Sequence, residues 1–484
     1  MHIHPLNDIN ILLSISWAGS YPAFFVCPKA IKGKGIRKGV TREGRGGNMK
    51  SLSFWMKEKL WLTPALYILM AVLLSITFFY IDLLYIERLK PYIPSILLTN
   101  VDLAKTIMGS LSGALLTMTT FTFSTILVVL TMYSSQFSPR TLKNFIHDKI
   151  TWRVLGIFLS GFIYNTLSLL FMRDDLYSTD VISTFVGIVI AFFCLSTFAY
   201  FIHYIATHVQ VGQLVNELIG DTERAISKIR ELQESENEEA IEWNPIGIKE
   251  IHQAEKEGYI HYLSFGKLVD YAEKHDLKVE ILVKTGDYVY EGKPIFHIYK
   301  VKELELPAAR FYSLGTSRTS EQDFDFAIQK LVEVALRAIS PGINDPNTAN
   351  EIIIRLGRLL GQLGCLKTGP FLLGGGKKSE RVLYRFPSYK NILYNTFYQL
   401  SHYGKEDISV LTSMMESLKV AAELAPCQHH QELWEVHGYI LENIDQNQLK
   451  SYDHIALQRK VDQLAEATGR HSYNILLESP VISR

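Results

Sequence analysis

The chain has 484 residues, of which 48% are hydrophobic, and its 49 basic side chains balance 49 acidic ones. This balance gives no indication of a nucleic-acid partner, which would favour a basic surface, and none is predicted. The four cysteines lie far apart in the sequence, so neither a disulfide framework nor a paired-cysteine metal site is indicated.

Residues 1–48 differ from the rest of the chain. A basic, glycine-rich run from Lys32 to Gly47 precedes Met49 and Lys50, a pair typical of a start site. We expect this segment to be either a disordered tail or upstream sequence that does not belong to the native protein.

Four long uncharged runs predict transmembrane helices, because each is close to or above the length that crosses a hydrocarbon core of roughly 30 Å. The loop between the second and third runs is basic and the next loop is acidic, so we expect both termini in the cytoplasm. The lipid bilayer is therefore the first predicted partner. The runs cover about residues 61–81, 107–135, 154–172 and 181–203 of a membrane domain from 49 to 210.

The second run carries small and hydroxylated residues along one face of the predicted helix. Such a face permits close packing of helices within a bundle or an oligomer. It also suits a helix that lines a water-filled path, where hydroxyls replace the hydration of an ion or solute. Both interpretations stay open for the candidate lining residues, which are Ser110, Gly113, Thr117, Thr120, Ser124, Thr131 and Ser135.

A proline and an arginine follow this run at the predicted inner face of the membrane. Pro139 stops or bends the helix, and Arg140 comes directly after it. One interpretation is a positively charged anchor. The other is a hinge at the inner mouth, with Arg140 held by Asp148 or by lipid headgroups.

The rest of the chain is typical of an extramembrane protein. We expect a linker helix over 211–245, a β-rich subdomain over 246–305 and a helical domain over 306–484. The turn from Gly286 to Gly292 is similar to those of lipoyl- and biotinyl-type barrels, but it has no carrier lysine, so no cofactor is predicted. The predicted fold is a bundle of four transmembrane helices plus a cytoplasmic α+β domain, with a small barrel-like hairpin unit and a C-terminal helical region.

Five polar residues lie before, within and after a helix predicted from about Phe326 to Ile339, and they form a candidate cluster. Together they offer groups able to bind a ligand or a cation. The alternative is structural, with Asp345 capping the following helix and Arg337 paired with Asp323. The members of this cluster are Arg318, Asp323, Arg337, Asn344 and Asp345.

Several motifs occur together in the order found in one bacterial membrane-protein family. They are Ser135-Gln-Phe-Ser-Pro-Arg140, Leu155-Gly156-Ile-Phe with Tyr164, Gly286-Asp-Tyr-Val, Arg318-Thr with Gln322-Asp323, and Ala335 to Ala349. On these residues the chain resembles the family known as domain of unknown function 2254. The resemblance implies the membrane topology and an inner-membrane location, but no reaction or substrate.

The sequence has no recognisable set of nucleophile, base and metal ligands, so we predict neither an enzyme nor a metal site. Our leading hypothesis is a homo-oligomeric channel- or transporter-like protein with a cytoplasmic regulatory domain, acting on an unidentified ion or small solute. The alternative is a membrane-anchored sensor or scaffold that binds a cytoplasmic ligand or partner without transport.

Overall fold

A group of apolar helices forms the first part of the described chain. The computed structural model describes residues 61–136, 140, 149–173, 180–208, 211–234, 243, 245, 247–300, 306–320, 322–373, 381–444 and 449–475. The N-terminal segment 1–48 lies outside these residues. As predicted, four of the described helices are long and apolar enough to cross a membrane. They are α1 (Leu62–Leu84), α2 (Val101–Gln136), α3 (Lys149–Phe171) and α4 (Ser183–His208).

Helix α2 is longer than the uncharged run from which it was predicted. It has 36 residues and is therefore about 54 Å long. The helix begins at Val101, before the predicted run. Asp102 and Lys105 limit the apolar run on its N-terminal side, but they do not interrupt the helix. The side chain of Asn100 accepts a hydrogen bond from the amide of Leu103 at 2.9 Å and satisfies one amide of the first turn.

Helix α3 packs against α1, α2 and α4. The approach to α1 is close, since a Cβ atom on Gly156 would lie 2.9 Å from Cδ2 of Tyr67 and 3.0 Å from Cα of Pro64. Small residues permit such backbone contact between transmembrane helices. The glycine of the Leu155-Gly156 motif therefore fixes the distance between α1 and α3.

The later helices lie in the C-terminal region, which we define as residues 211–475. The first of them is amphipathic and follows α4 directly in the sequence. In the described chain these helices are α5 (Val211–Glu234), α6 (Phe265–His275), α7 (Phe324–Ala338), α8 (Pro346–Gly364), α9 (Tyr389–Gly404), α10 (Ile408–Leu424), α11 (His430–Glu442) and α12 (Ser451–Thr468).

Helix α5 packs against α7 and α8. It buries Leu218 and Ile226, and these side chains belong to one apolar cluster that also includes Phe158 of α3 and Ile328 of α7. At its C-terminal end, the side chain of Gln233 donates to the carbonyl of Lys367 at 2.9 Å. The segment predicted as a linker is thus, over α5, an integral part of the core.

The described strands form two open sheets, so the barrel-like unit predicted from the Gly286 hairpin is not confirmed in this part of the chain. The larger sheet has the order β1-β5-β3-β8-β7, with only β3 and β8 parallel, and the smaller sheet has the order β4-β2-β6. Strands from the predicted helical domain join both sheets, which ties the two predicted subdomains together. The strands are β1 (Ile248–Gln253), β2 (Gly258–Leu263), β3 (Lys278–Ile281), β4 (Tyr288–Val289), β5 (Pro294–Lys300), β6 (Tyr312–Gly315), β7 (Gly369–Leu373) and β8 (Val382–Phe386).

Candidate functional site

The candidate small and hydroxylated residues of α2 face away from the other helices of the same chain, whereas Ser112, Thr119 and Thr122 are buried. The α2 residues buried against those helices include Ala104, Met108 and Leu115, on the opposite side of the helix. In this chain the candidate lining residues therefore do not line the bundle formed by α1, α3 and α4. All of the candidates are exposed, namely Ser110, Gly113, Thr117, Thr120, Ser124, Thr131 and Ser135.

Most hydroxyls on this face are bonded to their own helix. Those of Ser110, Thr117, Thr120 and Thr131 each donate to the carbonyl one turn earlier at 2.9 Å. This arrangement satisfies the hydroxyl protons while leaving oxygen lone pairs on the exposed face. The face is therefore mildly polar but carries no charge.

Two glycines make the same face flat near its N-terminal end. Gly109 and Gly113 form a G-x-x-x-G pattern, and a Cβ atom at either position would have nothing within 4 Å. In apolar helices this pattern lets a second helix approach closely. The space for such a helix is open in a single copy of the chain.

The C-terminal end of α2 is held by α7 through two contacts. Arg337 donates to the carbonyl of Ser135 from Nε at 3.0 Å and from Nη2 at 2.5 Å. Arg140 forms an ion pair with Glu333, one helical turn before Arg337. We call these four residues the α2–α7 junction. Two other predicted hinge residues, Pro139 and Asp148, lie outside the described residues.

Arg337 contacts a carbonyl group at the C-terminal end of α2, where helix geometry favours a positive charge. The last carbonyls of α2 have no partner within the helix and carry partial negative charge. The guanidinium of Arg337 satisfies one of them, and it comes from a separate part of the sequence. The junction therefore links the membrane helix directly to the C-terminal region.

A second group of motif residues meets at the N-terminal end of α7. Both carboxylate oxygens of Asp323 accept hydrogen bonds from Arg318, and the amide of Phe326 donates to one of them at 2.9 Å. Asp323 therefore caps α7 while it is paired with Arg318. Burial raises the pKa of the Asp323 carboxyl, and the bonds from Arg318 lower it partway.

Gly286 lies directly against this pair. Its φ is +87°, and a Cβ atom there would be 1.9 Å from Oδ2 of Asp323 and 2.8 Å from Nε of Arg318. Only glycine fits this position, for both conformational and steric reasons. The hairpin motif and the Arg318-Asp323 motif are thus parts of one structural unit.

The five residues of the predicted polar cluster do not form one group, although two of them, Arg318 and Asp323, are paired. Asp345 caps α8 by accepting from the amide and the hydroxyl of Thr348, and Asn344 adopts a positive φ of 53° directly before it. Arg337 contacts α2, whereas Asp323 is paired with Arg318. The capping role considered for Asp345 is therefore seen, and the pairing considered between Arg337 and Asp323 is not.

A buried acid in the membrane bundle was missed by the sequence analysis. Asp82 is 2% exposed and accepts hydrogen bonds from the amides of Ile182 and Ser183 at 2.9 and 3.1 Å. These amides lie at the start of α4, where helix geometry favours a negative charge. The signal in the sequence is an acid that directly follows the predicted apolar run 61–81.

Four apolar helices with buried polar contacts, joined to a C-terminal α/β region, define a helical membrane protein. The chain belongs to the family described as "Predicted membrane protein (DUF2254)", whose model matches residues 57–420. The resemblance found in the motifs is thereby confirmed.

Proteins similar to the chain occur in mycobacteria. The uncharacterized protein Rv1290c of Mycobacterium tuberculosis and the uncharacterized protein Mb1321c of Mycobacterium bovis are each 23% identical to the chain over 333 residues. Each alignment covers 66% of this chain and 64% of the relative's length. No solved structure matches the chain significantly.

Proposed function

We propose that this protein forms a homo-oligomeric, channel- or transporter-like assembly in the bacterial inner membrane. In this proposal, α2 of each copy turns its hydroxylated face to a central path for an ion or small solute. The C-terminal region regulates that path through the α2–α7 junction. The proposal includes no catalytic step, and it places both termini in the cytoplasm on the basis of the loop charges.

The orientation of α2 is the observation that carries the proposal. A hydroxylated face that points away from its own bundle is poorly matched to lipid tails, which offer its oxygen atoms no hydrogen bonds. A second copy of the chain gives this face a partner, and Gly109 and Gly113 leave room for close contact. Hydroxyl oxygens along a shared central path would replace part of the hydration shell of a solute.

The α2–α7 junction supports the regulatory half of the proposal. A rigid helix transmits a displacement along its length, and α7 contacts the end of α2 at two points one turn apart. Moving α7 therefore requires either breaking the contacts with Arg140 and Ser135 or moving the end of α2.

The test is flux through liposomes that contain the purified chain, measured with monovalent, divalent and anionic species. We expect selective flux that Thr120→Leu abolishes, because leucine removes a hydroxyl and fills the path. Thr197→Leu on α4 is the matched control, since the Thr197 hydroxyl likewise donates to its own helix, at 2.8 Å to the carbonyl of Phe193. Flux that is equal in both variants contradicts a path along α2.

A charge-swap series tests the junction separately. Glu333→Arg should change the rate of flux without changing its selectivity, and adding Arg140→Glu should restore the original rate. Liposomes that contain correctly assembled protein but show no flux would contradict conduction. That result would leave the sensor or scaffold function as the better hypothesis.

A further inference from the structure

The C-terminal region has one end that lies next to the membrane, and α7 shows which end it is. Along α2, Ser135 lies closer to the bilayer than Arg140, which comes after it in the sequence. Arg140 pairs with Glu333, whereas the carbonyl of Ser135 accepts from Arg337, further along α7. Helix α7 therefore runs toward the membrane, and the loop of residues 339–345 follows at its membrane end.

Helix α8 gives the same direction through independent contacts. Its Arg355 donates to the side chain of Asn216 at 2.5 Å, and the amide of Lys367, just after α8, donates to the side chain of Gln233 at 2.8 Å. Helices α5 and α8 therefore run side by side in the same direction, and α5 follows the membrane helix α4 in the sequence. Since Pro346 lies about 13 Å before Arg355 along α8, the start of α8 also faces the membrane.

Helix α10 is parallel to α8. The side chain of Asn350 donates to the hydroxyl of Ser409 at 3.0 Å near the start of both helices. Near their ends, a Cβ atom on Gly361 would lie 2.5 Å from Cβ of Leu424. The start of α10 therefore lies beside the start of α8, and the loop of residues 404–407, which joins α9 to α10, lies at the membrane end as well.

The start of α12 reaches the same end. Asn443, just after α11, donates to the hydroxyl of Ser401 in the last turn of α9 at 3.0 Å. This contact places the end of α11 at the membrane end, and α12 begins at Ser451, shortly afterwards in the sequence. Lys460 of α12 contacts Glu416 of α10 at 2.8 Å, and both residues lie in the third turn of their helix. The first turns of α10 and α12 are therefore level with each other.

The most exposed large hydrophobic side chains of the C-terminal region are found at this end. Among the residues that the structure describes there, the three with the greatest exposure are Tyr452 at 84%, Tyr403 at 68% and Ile455 at 64%. We call these three residues, together with the loops 339–345 and 404–407, the membrane-side tip. Single exposed hydrophobic residues are common on soluble surfaces, but their concentration at one end of a region indicates a contact surface.

The chemistry of the membrane-side tip fits the border between lipid and water. Tyrosine has an apolar ring and a polar hydroxyl, and it is enriched in proteins at this border. The charges nearby are of both signs, since Lys405 and Lys450 are accompanied by Glu406 and Asp453. The tip therefore offers hydrophobic surface to a bilayer without requiring anionic lipid.

We propose that the membrane-side tip rests on the surface of the same bilayer that α1–α4 cross. Tyr403, Tyr452 and Ile455 contact the headgroup layer, with the tyrosine hydroxyls in contact with water or lipid oxygen atoms. The partner is lipid because the tip is held beside the bilayer by two connections. One connection is α7 with the end of α2, and the other is α5 with α4.

This contact has a consequence for the α2–α7 junction. The loop that follows α7 is part of the membrane-side tip, so lipid at the tip contacts a segment next to Arg337. Contact with the bilayer therefore limits the movement of α7 in the proposed function. The docking itself requires only that α1–α4 span the bilayer, and it does not depend on conduction.

The test places an environment-sensitive fluorescent label at the tip of the full chain in phosphatidylcholine liposomes. Serine replaces Cys27, Cys365 and Cys427, which leaves only the buried thiol of α4. The label is attached in this background to Tyr452→Cys or to Tyr403→Cys, both at exposed positions. The measured quantity is quenching of the label by phosphatidylcholine that carries a spin label near its headgroup.

Tyr290→Cys is the matched control. Tyr290 is also an exposed tyrosine, at 59%, but it follows the Gly286 turn, which contacts Asp323 at the opposite end of α7. We expect several-fold stronger quenching at Tyr452→Cys and at Tyr403→Cys than at Tyr290→Cys. Quenching should be similar when part of the lipid is anionic phosphatidylglycerol, because the charges of the tip are balanced.

Two results would overturn the proposal. One is quenching at Tyr452→Cys and Tyr403→Cys that is no stronger than at Tyr290→Cys. The other is a label at the tip that is shielded from aqueous iodide but is not quenched by the spin-labelled lipid, which would assign the tip to a contact between protein chains. Quenching by lipid without flux would contradict conduction alone, and flux without such quenching would contradict lipid docking alone.

Discussion

Arg318 binds both carboxylate oxygens of Asp323, from Nε to Oδ2 at 2.8 Å and from Nη2 to Oδ1 at 3.0 Å. Asp323 is 3% exposed, and its Oδ1 atom also caps α7 through the amide of Phe326. The Asp323 carboxylate therefore neutralises the charge of Arg318 and also caps the first turn of α7. Because Gly286 lies against the same pair, the hairpin around Gly286 and the start of α7 both depend on it.

The first prediction is that Arg318→Gln strongly destabilises the C-terminal region. The substitution leaves the buried Asp323 carboxylate without its cation, a situation that typically costs about 3–5 kcal/mol. Thermal unfolding of the purified chain measures the effect. Gly286→Ala should produce a comparable loss, since the added Cβ atom displaces the same carboxylate.

The control for this prediction is an arginine with a similar partner at the surface. The Arg385 side chain is 62% exposed and pairs with Glu280, so Arg385→Gln should change the melting temperature little. Equal losses for Arg318→Gln and Arg385→Gln would contradict a special role for the buried pair.

Local patterns in the sequence were sufficient to predict the membrane helices and one of the caps. Uninterrupted apolar runs located all four helices, and the Asn344-Asp345-Pro346 sequence indicated the turn before α8. Both features depend on residues close together in the chain. The barrel-like unit is not confirmed in the described residues, because a hairpin motif determines a turn but not the closure of a sheet.

The pairing of distant residues was not predictable in the same way. Nothing near Arg140 indicates that its partner is Glu333, or that Arg337 contacts the Ser135 carbonyl. Likewise, the hydroxyl pattern of α2 identified one face of a helix without indicating whether that face points inward. That orientation depends on which side of α2 packs best against α3 and α4.

The second prediction concerns Asp82, which directly follows the predicted apolar run 61–81. Asp82→Ala should lower the stability of the membrane bundle, because the amides of Ile182 and Ser183 lose their acceptor in an apolar environment. The cost should be about 1–3 kcal/mol for each amide left unpaired. Asp82→Asn retains one acceptor oxygen and should cost less than Asp82→Ala.

The stability of the membrane bundle is measured through the labelling of Cys194 as the temperature rises. This residue is fully buried in α4, so a thiol-reactive dye labels it only when the bundle opens. A variant in which Cys27, Cys365 and Cys427 are serine restricts the signal to this thiol. Asp102→Ala is the control, since Asp102 is exposed at the start of α2. Similar melting temperatures for Asp82→Ala and Asp102→Ala would refute the prediction.

The third prediction separates contacts within one chain from contacts between chains. A Cβ atom on Gly187 would lie 2.6 Å from Oδ1 of Asn165 and 3.2 Å from Cε of Met108. Gly187→Ala should therefore lower the melting temperature in the Cys194 assay. Gly113→Ala should leave that temperature unchanged, because the space beside Gly113 is open in a single chain.

The same two variants should behave in the opposite way in an assay of association. If α2 contacts a second copy at its Gly109-Gly113 face, Gly113→Ala weakens the oligomer in cross-linking and in size-exclusion chromatography with light scattering. Gly187→Ala should reduce stability without a specific effect on association. An unchanged oligomer in Gly113→Ala and Gly113→Leu alike would argue against contact through this face.

The fourth prediction is a loss of stability in mild acid that originates at His437. The residue is 1% exposed, its Nδ1 atom donates to the carbonyl of Trp434, and its Nε2 atom accepts from the Tyr473 hydroxyl at 2.9 Å. Burial, partly offset by the bond to Trp434, lowers the pKa of His437 to about 4. The folded chain therefore keeps this imidazole neutral at a pH where the unfolded chain, with a pKa of about 6.5, takes up a proton.

The sign of the effect follows from that difference in proton binding. Below about pH 6.5 the unfolded state binds more protons at this site, so the free energy of unfolding falls as the pH falls, until the folded-state pKa is reached. Between about pH 7 and pH 5 the loss should be roughly 2 kcal/mol. Urea unfolding at several pH values, followed by tryptophan fluorescence, measures it. His437→Gln should remove this slope even if it lowers stability overall, and His402→Gln, at an exposed position, should retain it. A slope in His437→Gln equal to that of the native chain would place the acid sensitivity elsewhere in the molecule.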